Sequence, residues 1–286
     1  MTNGLSTLRR NLGATLVGAI SLVVGLWLVF IRTEWGQRLD DAAVRGRWVV
    51  DFDVLKAHGR SLGVITVASM VGGCIALVVV GAVRGRPLLG VAAALLVGCA
   101  GVTTELLKVL IDRPVFPAVD WHPENTFPSG HATASASLAF AFIMVTPHRW
   151  RAATAIAGGL WVAFQGTGVV AAGWHRPSEA VAGFAVAIAW ASFAVMVMVA
   201  IGRVRPANQE AESPERLTAA VLVVLAIMLV GLVAGTMLGG DSPYTFKGGA
   251  FLVSTASIDV VAVGLIWWFE RMLNSWTLGL TPATGE

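Results

Sequence analysis

The sequence predicts an all-α integral membrane protein: a six-helix core followed by a C-terminal pair of transmembrane helices, about eight spans in total. Three observations carry this reading. Of 286 residues, 56% are hydrophobic and 13% charged, against about 25% charged in soluble domains, and mean hydropathy is +0.75. The apolar residues are gathered into runs of the length needed to cross a hydrocarbon layer of ~30 Å. The basic residues fall in short patches between those runs, as topology signals do.

The runs are Leu12–Ile31, Leu62–Val83, Leu88–Ile111, His131–Thr146, Ala152–Ala172, Ala180–Ile201, Leu217–Leu238 and Ala250–Phe269. Helices are the default, because spanning strands would show alternating segments about half as long. The first run follows Arg9-Arg10 but is longer than a signal-peptide core and lacks a small-residue cleavage site, so it reads as an anchor. Glu210, Glu212, Pro214 and Glu215 mark a polar linker. The predicted organisation is therefore a membrane core over 1–205, a linker over 206–216 and a helix pair over 217–286.

Arg9, Arg10, Arg84, Arg86, Arg149, Arg151, Arg203, Arg205, Arg216 and Arg271 all fall on one side of such a bundle. By the positive-inside rule that side is the cytoplasm, with both termini, in a multi-pass cell-membrane protein. The loop after the first run departs from the pattern. It mixes Arg38, Arg45, Arg47, Lys56 and Arg60 with Glu34, Asp40, Asp41, Asp51 and Asp53, and its Trp35, Trp48 and Phe52 suggest a segment lying in the interface. Substrate access is the role expected of it. The net charge of +3 is accounted for by topology, so no nucleic acid partner is expected. Cys74 and Cys99 lie inside apolar runs and read as small core residues, neither a disulfide nor a metal site.

Three polar clusters meet on the extracytoplasmic side. Lys108, Asp112 and Arg113 end the third run; Ser129, Gly130 and His131 open the fourth; His175, Arg176 and Glu179 join the fifth to the sixth. In Asn125-Thr126-Phe127-Pro128-Ser129-Gly130-His131, the proline suits a first helical turn and the serine a cap. The resulting helix start, with free N–H groups and partial positive charge, is a seat for an anion. Charges at the edge of spanning segments are costly and mark function or pairing. Two histidines, several cations and a carboxylate suit phosphoryl transfer: cations hold the phosphate, one imidazole attacks and another protonates the leaving oxygen. The i, i+4 spacing of His175 and Glu179 lets the carboxylate orient the ring.

These clusters resemble the three motifs of the type 2 phosphatidic acid phosphatase superfamily, which also contains the soluble vanadium haloperoxidases. Pro128-Ser129-Gly130-His131 matches the middle motif completely. The first motif, Lys-(six residues)-Arg-Pro, starts at Lys108; the third, Ser-Arg-(five residues)-His-(three residues)-Asp, has its histidine at His175. The resemblance covers Lys108 to Gly183. It implies that His175 is the nucleophile, forming a phosphohistidine, that Glu179 orients it and that His131 is the general acid, with no metal and no cofactor required. The departures are specific. Val115-Phe116 stands where Arg-Pro is expected, with Arg113-Pro114 two residues earlier; Gly168-Val169 replaces Ser-Arg, and Glu179 replaces the aspartate. Arg113 and Arg176 are expected to replace the lost phosphate-binding arginines in part, beside Lys108, Ser129 and Gly130.

The expected function is hydrolysis of a membrane lipid phosphate or diphosphate. Two alternatives stay open: a phosphotransferase, and a weakened relative that binds or moves a phospholipid or engages a partner protein. Elsewhere the plainer readings lead. Glu105 pairs with Lys108, His58 and His122 are loop residues, and His148 lies on the opposite face. Gln165 and Asp259 form interhelical hydrogen bonds, and Trp267-Trp268 belongs to an interfacial belt.

Overall fold

The computed structural model describes residues 2–49, 56, 59–117, 119, 124–207 and 245–280. Its helices are α1 (Thr2–Leu26, continued by a π-helical turn Trp27–Ile31), α2 (Glu34–Arg45, followed by a 3₁₀ turn Gly46–Val49), α3 (Val67–Val83), α4 (Pro87–Leu110), α5 (Gly130–Val145), α6 (His148–Ala171), α7 (Pro177–Ala200) and α8 (Thr245–Leu273). α1 with its π-helical turn, α4, α6, α7 and α8 are each long and apolar enough to cross a membrane, while α3 and α5 are shorter apolar helices. The fold is thus an all-helical membrane bundle. The predicted span Leu217–Leu238 and its linker lie outside the described residues, as do His58 and His122.

α5 is the central helix, packed by α4, α6 and α7. Its Ala132, Ser135, Ala136, Ser137, Ala139 and Ala141 are all buried, and such small side chains let neighbouring backbones approach closely. α8 lies along α6, with Phe269 edge-on to Phe140 of α5 at 5.0 Å between ring centroids. α3 and α4 touch backbone to backbone, since a Cβ on Gly81 would stand 2.7 Å from Gly90.

The two ends of the bundle differ in chemistry. At one end, arginines satisfy the orphan carbonyls of helix C-termini. Arg84 donates to the Val145 carbonyl, and Arg151 donates to those of Leu273 (2.6 Å) and Trp276 (3.0 Å). Arg86 reaches Leu278 at 3.0 Å. Between Val204–Pro206 (β1) and Trp276–Leu278 (β2) runs a short antiparallel ribbon. An all-helix reading does not anticipate it, because three-residue strands are too short to register as alternation. His148 bonds to the Asn274 carbonyl at this end, away from the predicted site. The polar clusters lie at the other end.

Two local expectations change. α3 starts at Val67, not Leu62, because Thr66 and Ser69 form a reciprocal capping box that hydropathy cannot see. Gln165 is fully buried, yet its amide finds no hydrogen-bond partner, and so makes no interhelical bond, among the described residues. Asp259 does make one, accepting from Thr167 at 2.7 Å. Of the tryptophan pair, Trp268 donates to Thr15 of α1 at 2.9 Å.

α5 and α7 cross where Gly183 faces the first turn of α5. A Cβ there would stand 2.8 Å from the Ser129 carbonyl and 3.0 Å from both Ala132 Cβ and Thr133 N. Gly183→Ala should therefore cost about 1–3 kcal/mol as an overpacking change, lowering the apparent melting temperature in detergent. An unchanged melting curve would mean that this crossing is loose.

Candidate active site

At the start of α7 the backbone sets the site. Arg176 is the N-cap residue and Pro177 opens the helix, its fixed φ suited to the first turn. Glu179 stands at the third helical position, the place from which an acid reaches back to the cap; its Oε2 accepts the Arg176 N–H at 3.3 Å. The same oxygen accepts from His175 Nδ1 at 2.9 Å. The predicted His175–Glu179 contact therefore holds for a different reason. His175 lies before the helix, and the pair meets through the cap instead of along a helical face.

Glu179 has no exposed surface, and its side chain is surrounded by donors. Thr126 Oγ1 donates to Oε2 at 2.7 Å; on Oε1, Arg176 Nη1 stands at 3.3 Å and Arg113 Nη1 at 3.5 Å. A buried carboxylate is tolerated only when paired and fully hydrogen-bonded. Because the carboxylate accepts at Nδ1, that nitrogen carries a proton, and in the neutral ring the lone pair is on Nε2.

The segment before α5 is tied to both neighbouring helices. Asn125 Nδ2 donates to the carbonyls of Lys108 (3.1 Å) and Ile111 (2.8 Å), closing the C-terminus of α4. The Ser129 N–H donates to the Glu179 carbonyl at 2.9 Å. Ser129 is the N-cap of α5 and accepts from Ala132 N, as expected, although the helix begins at Gly130, so Pro128 precedes the cap. With the Ala132 N–H capped, those of Gly130 and His131 are the donors that the first turn leaves for a ligand.

Lys108 Nζ sits 2.8 Å from Glu105, the pair expected from their spacing, and about one van der Waals contact from Gly130, where a Cβ would lie 3.4 Å from the ammonium. His131 packs edge-on against Trp174, 5.3 Å between centroids. Lys108, Gly130, His131, Trp174 and His175 line the head of one cavity of about 1000 Å³. Glu105, Thr104 and Thr126 also line it near Lys108, and most of the remaining wall is apolar and comes from α3 and α4, including Met70, Val71, Ile75, Val78, Ala94 and Val97.

The two arginines sit elsewhere. Arg113 and Arg176 are buried beside Glu179 and do not line that cavity. Burial and the neighbouring Arg176 pull the Arg113 guanidinium below its ordinary range, and its Nη2 has no partner among the described residues. The departures from the motif become legible here. Val115 is 70% exposed and faces away, whereas Val169 is buried and its carbonyl accepts the N–H groups of Trp174 and His175. Gly173 makes that turn possible. It adopts φ +74°, and Arg47 presses against it with no room for a Cβ.

Three contributors were not predicted from the sequence. Thr126 lies inside the stretch that drew notice, without a role assigned to it. Asp40 and Asp41 belong to α2: Asp41 Oδ1 accepts Arg176 Nε at 2.7 Å, and Asp40 accepts the Ser178 N–H at 3.2 Å and the Ser178 hydroxyl. The adjacent acids were visible in the loop, but five carboxylates interleaved with five cations carry no mark of which two turn inward.

Burial pushes the Asp40 carboxyl up from 3.8 to about 7; Glu179 opposes its ionisation, while Ser178 and Arg176 favour it. The folded protein thus prefers Asp40 protonated. That preference stabilises the fold at low pH and is lost as pH rises from about 4 to about 7. Asp40→Asn, which keeps the shape and an amide donor, should flatten this dependence. The drop in melting temperature from pH 5 to pH 8 should be smaller in the variant than in the wild type. Equal drops would show that Asp40 is ionised throughout.

Comparison with known proteins gives no match among curated sequences or solved structures. A family model does match, over residues 88–203, from α4 through α7. That span contains the whole Lys108–Glu179 constellation apart from the acids of α2. Over that segment the chain is similar to the PAP2 superfamily.

Proposed function

We propose that the protein is a metal-independent lipid phosphatase working through a phosphohistidine. The observation that carries this reading is the cavity, which has Lys108, His131 and His175 at its head and an apolar wall from α3 and α4 below. A phosphate with one or more hydrocarbon chains matches both halves of it, and a soluble phosphate matches only the head.

In the reaction, Lys108 and the N–H groups of Gly130 and His131 hold the phosphate oxygens, with the Ser129 cap fixing that turn. Arg113 and Arg176, behind Glu179, add positive charge at longer range without touching the phosphate. The lone pair on His175 Nε2 attacks phosphorus; an N–P bond forms as the P–O bond to the leaving group breaks, and His131 gives that oxygen its proton. Glu179, holding Nδ1–H, stabilises the positive charge that develops on the ring. Water then attacks phosphorus, His131 takes its proton, and cleavage of the N–P bond releases phosphate and restores His175. The clustering of Arg84, Arg86 and Arg151 at the other end supports a cytoplasmic face there and an extracytoplasmic active site.

A second reading, a phospholipid-binding relative with little turnover, is favoured by one observation: the motif arginine positions are held by Val115 and Val169. Phosphate release from a panel of lipid phosphates and diphosphates, measured with chelator present, separates the two. Wild type should turn over, His175→Ala should fall to background, and His131→Ala should lose about 10²–10⁴-fold. Absence of release by folded protein from every lipid would favour the binding reading. Val71→Trp, which fills the apolar wall, should raise KM for long-chain substrates and leave a short-chain phosphate unaffected. Equal effects on both would mean that the chains bind elsewhere.

A further inference from the structure

The interfacial helix α2 turns a polar stripe inward. Gln37, Asp40 and Asp41 are spaced i, i+3, i+4 and therefore share one face, and each is at most 4% exposed. Every one of them holds a segment of the active site. Gln37 Nε2 donates to the carbonyl of Pro114, next to Arg113, at 2.9 Å, and to that of Ile31 at 2.8 Å. Asp40 holds the N–H and hydroxyl of Ser178. Asp41 holds Arg176 Nε at 2.7 Å.

Polar groups are seldom turned into a bundle without a task, because their desolvation must be offset by full pairing. Here the pairing runs in one direction. From Asp41 the chain of contacts passes to Arg176 Nε, from Arg176 Nη1 to Glu179 Oε1, and from Glu179 Oε2 to His175 Nδ1. The guanidinium is planar and rigid, so fixing its Nε edge fixes where Nη1 meets the carboxylate.

We propose that Asp41 is a positioning residue for the active site, acting on His175 through Arg176 and Glu179, and that α2 is the arm that carries it. As a statement about turnover this rests on the phosphatase reading; as a statement about the geometry of His175 it does not. Asp41 touches neither the cavity nor the reacting atoms, so its loss should lower kcat and leave KM nearly unchanged. Asn at this position still accepts the Arg176 Nε–H, so Asp41→Asn should keep much of what Asp41→Ala loses.

The test uses full-length protein in detergent, with folding checked by melting curves, and has two readouts. The first is kcat and KM for wild type, Asp41→Ala, Asp41→Asn, Arg176→Ala and the Asp41→Ala/Arg176→Ala double variant. The expected result is a loss in kcat of roughly thirtyfold or more for Asp41→Ala, with KM within about threefold. Asp41→Asn should restore most of the loss, and in the Arg176→Ala background Asp41→Ala should cost less than about threefold more. Losses that multiply, or a kcat that does not move, would overturn the proposal.

The second readout needs no substrate: the Nδ1–H resonance of His175 in ¹⁵N-histidine-labelled protein, assigned by its loss in His175→Ala. It should shift in Asp41→Ala and stay close to wild type in Asp41→Asn. If wild type hydrolyses nothing but this resonance still responds to Asp41→Ala, the positioning role stands and the phosphatase reading fails. If the resonance is indifferent to Asp41, the positioning role is wrong whatever the activity. Should Asp41→Ala not fold, Asp41→Asn together with Arg176→Ala carries the comparison. A unit role predicts that Asp41→Asn adds nothing to Arg176→Ala, and added loss would overturn it.

Discussion

A carboxylate with no contact with solvent, Glu179, is the constraint around which the site end of the bundle is built. Its side chain and backbone together engage Thr126 and Ser129 from the segment before α5, Arg113 from the end of α4, and His175 and Arg176 from the turn before α7. Removing one partner from such a cluster leaves a buried charge uncompensated, at about 3–5 kcal/mol. That cost explains why segments far apart in sequence meet here. It also explains why the arginines sit behind the carboxylate, since two guanidinium groups are needed to offset Glu179 and Asp41 together. Burial pushes the Asp40 carboxyl toward its neutral form, which eases that balance.

From this follows a division of labour within the site. The carboxylate and its cations set the geometry of one imidazole, and the open face of that imidazole looks into a cavity whose other walls are supplied by α3, α4 and the first turn of α5. In the proposed reaction, the nucleophile and the hydrocarbon chains are thus held by different segments. The capped turn before α7 carries His175, whereas α3 and α4 contribute mostly apolar surface beyond Lys108 and Glu105. Helix α2 bridges them, tying Pro114, Arg176 and Ser178 into one layer.

Much of this was legible in the sequence. Long apolar runs announce spanning helices through composition alone, and Lys108, His131 and His175 stand out because charged or titratable groups at such places are costly. Ser129 declares a helix start by residue type. What remained hidden depends on tertiary placement. The start of α3 is set by the reciprocal Thr66–Ser69 cap within a continuous apolar stretch. The inward turn of Asp40 and Asp41 depends on how α2 docks, since their sequence neighbours carry the same mixture of charges. The contact between His175 and Glu179 was anticipated from spacing, yet its basis is a helix cap and not a shared helical face. Gln165, buried without a partner among the described residues, is not accounted for by its sequence or by its surroundings.

The central claim is that Glu179 holds His175 as a nucleophile toward phosphorus. Rapid-quench trapping with a lipid phosphate labelled on its phosphorus tests it most directly, by mapping any protein-bound label to a residue. The expected result is an acid-labile, base-stable phosphoryl group on His175 that appears before free phosphate. It should form far more slowly in Glu179→Gln, which keeps the shape of the carboxylate without its charge. Phosphate release with no label on His175, or labelling of His131 in its place, would contradict the account.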